Sequence, residues 1–399
     1  MPWYRSLPAI VKTIWPALLP QQAATLALLV EVILRQRSLC LTDLARGSFA
    51  ERDFNTRYQQ LWRWTQNRRL DSRALRRALA HHALAWRAGH GQYLPVIVDT
   101  TACRQFRMLQ AVLPRRRRGI PLLWHSYQHG TMRAQVTSFQ LGFLDELHDL
   151  LADGRAAGLT PVLIGDRGFA RSAILQWCEQ HGWAYLVRLP QSWRIAHRWY
   201  RGRLTQFTLD PGQVRRFVNV RCGPRRRFTA TLVATRLSRR AAQLLKRRLK
   251  TVPPHWYLLT TTDWTAAQTV AWYRRRWWIE STFRDAKQHL GLTTVRVTTV
   301  AAFDRLLVAW MLGLQLALAV GLKVLTAAHE RQLGHPKRLG LVAKAVLFLH
   351  RHEHIHHPTD PGRPLDLWAA LWAGNPPVLH RSLPVFDAFQ SPKALLYNG

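Results

Sequence analysis

The chain has 399 residues, of which 58 are lysine or arginine and 22 are aspartate or glutamate, so its formal net charge at pH 7 is +36. A hydrophobic content of 48% excludes a disordered basic tail, and the length suffices for two or three domains. This excess of positive charge destabilises a compact chain unless a polyanion neutralises it. Nucleic acid is the expected polyanion, because neutralised phosphates release counterions. An anionic membrane surface is the alternative.

The cysteines and the N-terminal residues bear on the cellular compartment. No two of the cysteines form a C-x-x-C pair, which argues against a zinc ribbon or a disulfide framework and favours a reducing compartment. Pro8, Lys12 and Pro16 interrupt the first apolar residues, so no signal peptide is expected. These features predict a cytoplasmic protein.

One apolar stretch is long enough to raise the question of a membrane span. Residues 306–322 are uncharged and 17 residues long, which is the lower limit for crossing a bilayer. Gln315 lies at the middle of the stretch, and cations flank both of its ends. We therefore expect a buried core helix and no membrane partner.

Residues 1–90 are predicted to form a helical N-terminal domain that binds DNA. Apolar residues recur three and four positions apart in "AATLALLVEVIL" and "LDSRALRRALAHHALAWRA", which is the spacing of one helix face. Basic and aromatic side chains interleave in "LWRWTQNRRL". That segment suits a helix laid against a DNA backbone, and it equally suits an amphipathic helix with Trp62 in the core.

From Gly91 the pattern changes to short β-branched runs, and residues 91–189 are predicted to form the first part of a catalytic core. Strands are predicted in "YLPVIVDT", "GIPLLWHSYQ" and "TSFQLGF", followed by a helix in "FLDELHDLLADG" that ends at Gly154. The next three segments, "PVLIGDRG", "SAILQWCEQHG" and "WAYLVRLP", read as strand, helix and strand. This order predicts an α/β fold with a mixed sheet.

Three further segments complete the predicted organisation. Residues 190–264 form a β-rich insertion domain, with strands in "RFVNVRC", "RRFTATLVATRL" and "HWYLLTTTDW". Residues 265–345 form the second part of the core, which carries an acidic helix residue. Residues 346–399 form a tail rich in histidine and proline, for which we predict a role in dimerisation.

Two acidic residues stand at the C-terminal ends of buried apolar runs. Asp99 follows "VIV" and Asp166 follows "VLIG", and strand ends are where α/β folds expose functional side chains to a crevice. Either acid alone is as well explained as the cap of a turn. Both together, followed by Glu280 on a predicted helix, favour a catalytic role.

The third acid lies in "YRRRWWIESTFRDAKQHLGL", residues 273–292, which we predict to be one continuous helix. At about 100° per residue, four polar side chains share an arc of roughly 60°: Tyr273, Arg276, Glu280 and Lys287. An apolar stripe lies beside this arc and is expected to pack on the sheet: Ile279, Phe283, Ala286 and Leu290. The structural alternative is an i,i+4 ladder in which Glu280 pairs with Arg276 and Arg284.

Three carboxylates with flanking cations suit metal-dependent chemistry on phosphates. Mg²⁺ prefers oxygen ligands and binds through a few carboxylates plus phosphate oxygens of the substrate. Two such ions about 3.5–4 Å apart can activate a water or a 3′-hydroxyl and stabilise the leaving oxygen in a phosphoryl displacement. We therefore expect Asp99, Asp166 and Glu280 to hold two Mg²⁺ ions, for which Mn²⁺ can substitute.

These residues also resemble a known family. The pattern Tyr-x-x-Arg-x-x-x-Glu-x-x-x-x-x-x-Lys at residues 273–287 is similar to the Y-R-E-K signature of DDE transposases from the insertion-sequence-four group. "DTT" at residues 99–101 and "DRGF" at residues 166–169 resemble the first and second acid motifs of that family. The resemblance spans about residues 91–310.

The resemblance implies an architecture and an activity. It implies an RNase H-like mixed-sheet core interrupted by a β-strand insertion domain, with an N-terminal helical domain and a helical C-terminal part. It further implies excision of an insertion sequence and strand transfer into target DNA, by a homodimer that pairs the terminal inverted repeats. The metal ligands would be Asp99, Asp166 and Glu280, and the protein would lie in the bacterial cytoplasm, on the nucleoid when bound to DNA.

A set of DNA contacts is implied as well. Relatives that form DNA hairpins carry a tryptophan just before an L-L-T strand, and this tryptophan stacks on a flipped base. Trp256 in "WYLLT" is the matching residue, and ordinary packing on the sheet is the alternative for it. Altogether six residues are expected to contact DNA: Tyr273, Arg276, Lys287, Trp256, Trp277 and Arg284.

Other functions stay open at this point. A nuclease with the same acids would cut DNA without joining it, and a basic DNA-binding protein would bind DNA without Mg²⁺ and cut nothing. "HEHIH", residues 352–356, matches the zinc-protease pattern H-E-x-x-H, which requires a regular helix through both histidines. The histidine-rich surroundings and Pro358 favour a chance match.

Overall fold

A computed structural model of the chain describes residues 3–47, 53–84, 91–131, 135–152, 158–223, 228–239, 255–325, 340–352, 356–357 and 360–364. These residues form two compact units. The first unit takes its described residues from Met1–Gly89, Ile97–Ala157 and Trp278–Gly374, and the second from His90–Val96 and Gly158–Trp277. Helices and strands occur in both, so the fold class is mixed α/β.

The helices, in chain order, are α1 (Leu7–Ile14), α2 (Pro20–Gln36), α3 (Leu41–Arg46), α4 (Phe54–Gln66), α5 (Ser72–Leu84), α6 (Val136–Leu150), α7 (Ser172–Gln180), α8 (Ala266–Arg274), α9 (Trp277–His289), α10 (Val300–Ala319) and α11 (Leu341–Arg351). The strands are β1 (Tyr93–Cys103), β2 (Phe106–Arg115), β3 (Arg118–Gln128), β4 (Thr160–Gly165), β5 (Ala184–Arg188), β6 (Arg194–His197), β7 (Tyr200–Arg203), β8 (Val214–Cys222), β9 (Phe228–Arg236), β10 (His255–Thr260), β11 (His356–His357) and β12 (Asp360–Pro364).

The N-terminal helices α1 to α5 confirm the helical prediction for the described part of residues 1–90. In the basic and aromatic segment on α4, Trp64 is buried, and its Nε1 donates to the carbonyl of Arg305 at 3.1 Å. Trp62 is 43% exposed. The tryptophan that anchors this helix is therefore Trp64, and the alternative that placed Trp62 in the core is wrong.

Helix α10 is the core helix of the first unit. The stretch Val300–Val324 is long and apolar enough to cross a membrane, but most of it is buried inside the protein. Its one central polar side chain is satisfied there, because the Gln315 Nε2 donates to the carbonyl of Pro121 on β3 at 3.0 Å. The prediction of a buried core helix is confirmed.

The strands of the first unit are antiparallel and lie in the order β3-β2-β1. β2 is buried over nearly its whole length and was not predicted, because Arg107 and Gln110 interrupt its apolar residues without a regular alternation. The strand predicted in "TSFQLGF" is wrong, since these residues belong to helix α6. Burial of Gln140, Phe143, Leu144 and Leu147 follows the helical period, and this longer pattern overrides the short alternation. Gly154, predicted to end the helix, lies outside the described residues.

A buried polar network ties α5, β3, α6 and α10 together. Glu146 is 4% exposed, and its Oε2 lies 3.0 Å from His125 Nε2 and 3.3 Å from Arg73 Nε. Arg76 lies between Glu146 Oε1, at 3.9 Å, and Asp304 Oδ2, at 3.6 Å. Burial raises the pKa of Glu146, but the hydrogen bond and charge of His125 and the charges of Arg76 and Arg73 outweigh burial, so the net shift is downward.

The second unit contains a mixed sheet, whose described strands lie in the order β4-β5-β10-β9-β8-β6-β7. β4 and β5 are parallel, and the remaining neighbours are antiparallel. Helix α7 packs on β5, and α8 packs on β5, β8, β9 and β10. The three strands predicted within residues 190–264 are present as β8, β9 and β10, and β6 and β7 add a hairpin.

Replacing Glu146 with glutamine tests the buried network. The change removes the buried anion that Arg73 and Arg76 share, so we expect Glu146→Gln to lower the free energy of unfolding at pH 7 by about 3 kcal/mol. Because the folded-state pKa of Glu146 lies below its ordinary value, the contribution is fully present above about pH 4.3 and is lost as pH falls through the lowered pKa. Denaturant unfolding at pH 7 and pH 3 measures both effects. Asp149→Asn, an exposed change of the same charge on the same helix, serves as control, and equal losses for both variants would contradict the prediction.

Candidate functional site

Asp166 follows β4 directly and is held in a tight turn. Its Oδ1 accepts the backbone N–H of Gly168 at 2.7 Å, and its carbonyl accepts the N–H of Phe169 at 3.1 Å. The turn folds Phe169 back on the strand, so a Cβ at Gly165 would lie 2.7 Å from the Phe169 Cβ. Gly165 is thus required for the turn that presents the half-buried carboxylate of Asp166.

Arg188 lies beside Asp166 because β4 and β5 are parallel and in register. Gly165 pairs with Val187, so the next residues along, Asp166 and Arg188, are level at the C-terminal edge. The Arg188 Nη2 also donates to the carbonyl of His255 at 3.2 Å. Burial lowers the pKa of Arg188, the charges of Arg167 and Arg276 lower it further, and Tyr273 and Asp166 act in the opposite direction. A guanidinium therefore accompanies the second predicted acid.

Tyr273 lies in the last turn of α8 and faces the same cluster. It is 3% exposed, and its ring packs edge-on against Trp256 with centroids 5.3 Å apart. Burial raises the pKa of Tyr273 to about 12, although the charges of Arg276 and Arg188 act in the opposite direction. The side chains of Tyr273 and Arg276 are hydrogen-bonded. The phenol is therefore a neutral group that orients a cation.

The predicted continuous helix over residues 273–292 is wrong. Helix α8 ends at Arg274 and α9 begins at Trp277. The backbone N–H groups of Arg275 and Arg276 bond three residues back, to the carbonyls of Trp272 and Tyr273 at 3.0 Å each, which makes a turn between the two helices. Tyr273 and Arg276 therefore do not share a helix face with Glu280.

Helix α9 carries Glu280 in its first turn and confirms the predicted apolar stripe. Ile279, Phe283 and Ala286 are buried, whereas Glu280 is half-buried. The helix is fixed to the start of β3, since Thr282 Oγ1 accepts the N–H of Gly119 at 2.9 Å and Arg118 Nε pairs with Asp285 at 2.9 Å. These contacts orient the Glu280 side of α9 away from the buried stripe.

The end of α9 is fixed as firmly as its start. Gly291 has φ +64°, a left-handed conformation that favours glycine, and a Cβ there would collide with the backbone of Arg37 and Ser38. Three residues later, Thr294 Oγ1 lies 2.9 Å from Ser38 Oγ and accepts the N–H of Leu39 at 2.7 Å. Contacts to the loop between α2 and α3 thus set where the acidic helix stops.

In the first unit, Asp99 and Lys287 lie on β1 and α9. Asp99 is half-buried, pairs with Gln110 on β2, and accepts the N–H of Thr100 on its Oδ1 at 2.7 Å. Burial raises the pKa of Cys103, the last residue of β1, to about 12, and the charge of Lys287 opposes this rise. Lys287 therefore lies near the end of β1. The remaining predicted contacts differ in exposure: Trp277 is 42% exposed, Arg284 is exposed, and Trp256 is half-buried.

The three acids are suitable metal ligands by chemistry, since each offers hard carboxylate oxygens on a half-buried side chain. Asp166, Arg188, Tyr273, Arg276 and Trp256 lie together in the second unit, whereas Asp99, Glu280 and Lys287 belong to the first. Among the described residues, no group of three or more His, Cys, Asp or Glu side chains lies in an arrangement that could hold a metal ion. The two-ion site therefore stays a prediction.

The zinc-protease alternative is excluded by the backbone. Helix α11 ends at Arg351, and His356 belongs to strand β11, so no regular helix runs through His352 and His356. Glu353 lies outside the described residues.

Arg188 is the residue of the cluster that sequence reasoning missed. The signal was available in "WAYLVRLP", because a charged residue ends this buried run as Asp99 and Asp166 end theirs. Searching strand ends for cations as well as acids would have found it.

Comparison with known proteins gives a family match over part of the chain. Residues 127–316 match the family model of the transposase DDE domain. The matched segment contains Asp166, Arg188, the Tyr273–Arg276 turn and Glu280, whereas Asp99 lies before it. No curated protein matches the chain.

Replacing Gly165 with alanine tests the turn that carries Asp166. The added methyl would overlap the Phe169 side chain, so we expect Gly165→Ala to cost about 1–3 kcal/mol of stability. Gly142→Ala on helix α6, where a Cβ meets nothing within 4 Å, is the matched control and should be neutral or stabilising by up to about 1 kcal/mol. Thermal unfolding of the two variants measures the difference, and equal midpoints would refute the steric argument.

Proposed function

The chain belongs to the DDE transposases through residues 127–316, and from that premise we propose that it excises an insertion sequence by a cut-and-paste route and joins the freed ends to target DNA. The observation that carries the proposal is the cluster at the C-terminal edge of β4 and β5, where a carboxylate meets the half-buried Arg188, the buried Arg276 and a buried tyrosine. The net charge of the chain, +36, supports DNA as the partner.

The cluster suits a phosphate of the DNA strand that is cut. Arg188, Arg167 and Arg276 carry three positive charges against the one negative charge of Asp166, so an anion is attracted. Tyr273, kept neutral by burial, holds Arg276 by a hydrogen bond. A guanidinium held in this way forms bidentate contacts with phosphate at little further entropic cost. Lys287 on α9 adds a phosphate contact.

Asp99, Asp166 and Glu280 are the proposed ligands of two Mg²⁺ ions, and DDE transposases use divalent metal ions in general. Bound there, the ions would activate a water or a 3′-hydroxyl and stabilise the leaving oxygen. The hydrogen bond from the Gly168 N–H fixes the Asp166 carboxylate. The contacts of α9 with β3 and with the α2–α3 loop fix the position of this helix, and therefore that of Glu280 on it.

Trp256 is proposed to stack on a base flipped out of the transposon end. Its indole is half-buried on β10 and packs edge-on with Tyr273, so the ring is held beside the phosphate-binding cluster. Stacking of a base on an aromatic ring contributes about 1–3 kcal/mol, enough to offset much of the cost of extruding the base. Trp277 and Arg284, both exposed at the start and middle of α9, complete the contacts, and a homodimer pairs the two terminal inverted repeats.

Removing any of the three acids should abolish cleavage. We expect Asp99→Ala, Asp166→Ala and Glu280→Ala each to lower the rate of end cleavage at least about a thousandfold, while DNA binding is retained or strengthened by the lost negative charge. Cleavage of a labelled transposon end with and without Mg²⁺ measures this, and exposed Asp210→Ala is the control. Substantial cleavage by the Glu280 variant would refute the ligand assignment. Cut products that are never joined would assign a nuclease instead.

Removing a cation of the cluster should weaken binding in a salt-dependent way. We expect Arg188→Gln, Arg276→Gln and Lys287→Ala each to reduce the magnitude of the negative slope of log affinity against log salt by about one, because each loses one phosphate contact. Titration of a labelled transposon end at several salt concentrations measures the slope. Tyr273→Phe, which removes the hydroxyl and no charge, should leave the slope unchanged, and a slope change of one for that variant would contradict the assigned role.

A further inference from the structure

The β6-β7-β8 end of the sheet in the second unit carries a dense group of exposed arginines. Residues 190–223 contain a single acid, Asp210, against seven arginines, all of them exposed: Arg194, Arg198, Arg201, Arg203, Arg215, Arg216 and Arg221. Edge strands are often protected by charge against pairing with another chain. That explains arginines on β7, the last strand, but not those on β6 and β8, which are paired on both sides.

Across β6 and its two neighbouring strands, the register places four of these arginines on one face. Arg194 pairs directly with Arg203. Ala196, two residues after Arg194 and so on the same face, pairs with Arg201 on one side and Arg221 on the other. We refer to Arg194, Arg201, Arg203 and Arg221 as the arginine face.

The opposite face of these strands is the core, which fixes the arginine face toward solvent. Ile195 pairs with Cys222, and Cys222 with Phe228, and all three side chains are buried. No carboxylate among the described residues lies within 4 Å of the four guanidinium groups. Like charges directly opposite each other across strands are destabilising, so the Arg194–Arg203 pair is kept at a cost that a polyanion would remove.

The arginine face continues into the candidate site. Arg221 pairs with Thr229 on β9, and Thr235, six residues further and therefore on the same face, pairs with Trp256 on β10. Leu258, two residues after Trp256, pairs with Arg188 on β5. One face of the sheet therefore runs from Arg188 and Trp256 to the four arginines, with helix α8 covering only its β5, β8, β9 and β10 part.

The hairpin that joins β6 and β7 extends this surface with an aromatic ring. Its two-residue loop is Arg198 and Trp199, since His197 pairs with Tyr200. Trp199 is 74% exposed, and the Arg198 guanidinium lies 4.8 Å from its ring centroid. A bulky aromatic at so tight a turn fills no core position.

We propose that the arginine face binds the phosphate backbone of duplex DNA leading away from the Asp166–Arg188 cluster, and that Trp199 packs on the sugars or bases at the far end of this contact. The inference rests on the proposed function, since it assumes that DNA occupies the cluster. In this proposal, strands β6, β7 and β8 carry the contacts to successive phosphates and determine how far the bound duplex extends beyond the cleavage point.

The test compares two arginines of strand β8 that lie on opposite faces. Arg221 belongs to the arginine face, whereas Arg215 pairs with Ala234 on the other face, and both are exposed. The binding of full-length protein to a labelled duplex of arbitrary sequence is measured at several salt concentrations. Arg221→Gln should reduce the magnitude of the negative slope of log affinity against log salt by about 0.9. The double variant Arg201→Gln/Arg221→Gln should reduce it by about twice that. Arg215→Gln should leave the slope unchanged. Equal changes for Arg221→Gln and Arg215→Gln would overturn the proposal.

Two further measurements separate this role from others. Without DNA and at low salt, Arg203→Gln should raise or preserve the thermal midpoint, because it relieves repulsion from Arg194, and a lowered midpoint would assign a structural role instead. Trp199→Ala should weaken binding severalfold with the salt slope unchanged, and unaltered affinity would remove the hairpin tip from the interface. Stronger binding of phosphatidylserine vesicles than of DNA, lost in Arg221→Gln, would replace DNA by a membrane surface.

The outcome is separable from that of the proposed function. An unchanged salt slope for Arg221→Gln together with inactive Asp166→Ala would overturn the arginine face alone. Cleavage by Asp166→Ala would overturn the proposed function, whatever the slopes.

Discussion

Acidic side chains are so few in this chain that their placement decides where positive charge is left uncompensated. The chain has 22 acids and 58 lysines and arginines, and several of the acids form ion pairs in the interior of the first unit. Glu146 and Asp304 share Arg76, and Asp285 pairs with Arg118. Removing a partner from such buried pairs is strongly destabilising. These acids therefore compensate cations in the interior of the first unit, and few acids are left to compensate the exposed cations that a polyanion can reach.

Local sequence patterns predicted the features that depend on a few neighbouring residues. The apolar runs before Asp99 and Asp166 form β1 and β4, and the stripe of Ile279, Phe283 and Ala286 is buried on α9. The uncharged stretch around Gln315 is the core helix, because exposing so many apolar side chains to solvent would be unfavourable. Burial along one strand or one helix face is a local property, and the sequence carries it directly.

The features that failed depend on contacts between distant segments. Periodicity alone extends one helix from Tyr273 to Leu290, but Tyr273 packs on Trp256 of β10 and the backbone turns at Arg276. Arg188 acquires meaning only through the register of β4 and β5. The arginine face is likewise invisible in the sequence, where its four members are interleaved with residues of the opposite face, until β6, β7 and β8 are aligned. Pairing register is non-local, so spacing along the chain cannot supply it.

The break between α8 and α9 has a consequence for the electrostatics of the site. It places Arg276 beside Tyr273 and Arg188, where burial lowers the pKa of Arg188 and the charge of Arg276 lowers it further. Two partly desolvated cations near one carboxylate are costly in the free protein, and the phosphate that we propose to bind there would supply the missing negative charge. Any ligand that binds only the folded state stabilises it by mass action. If DNA binds as proposed, the cluster and the arginine face would couple the stability of the fold to DNA binding, since both hold like charges together at a cost that DNA would relieve.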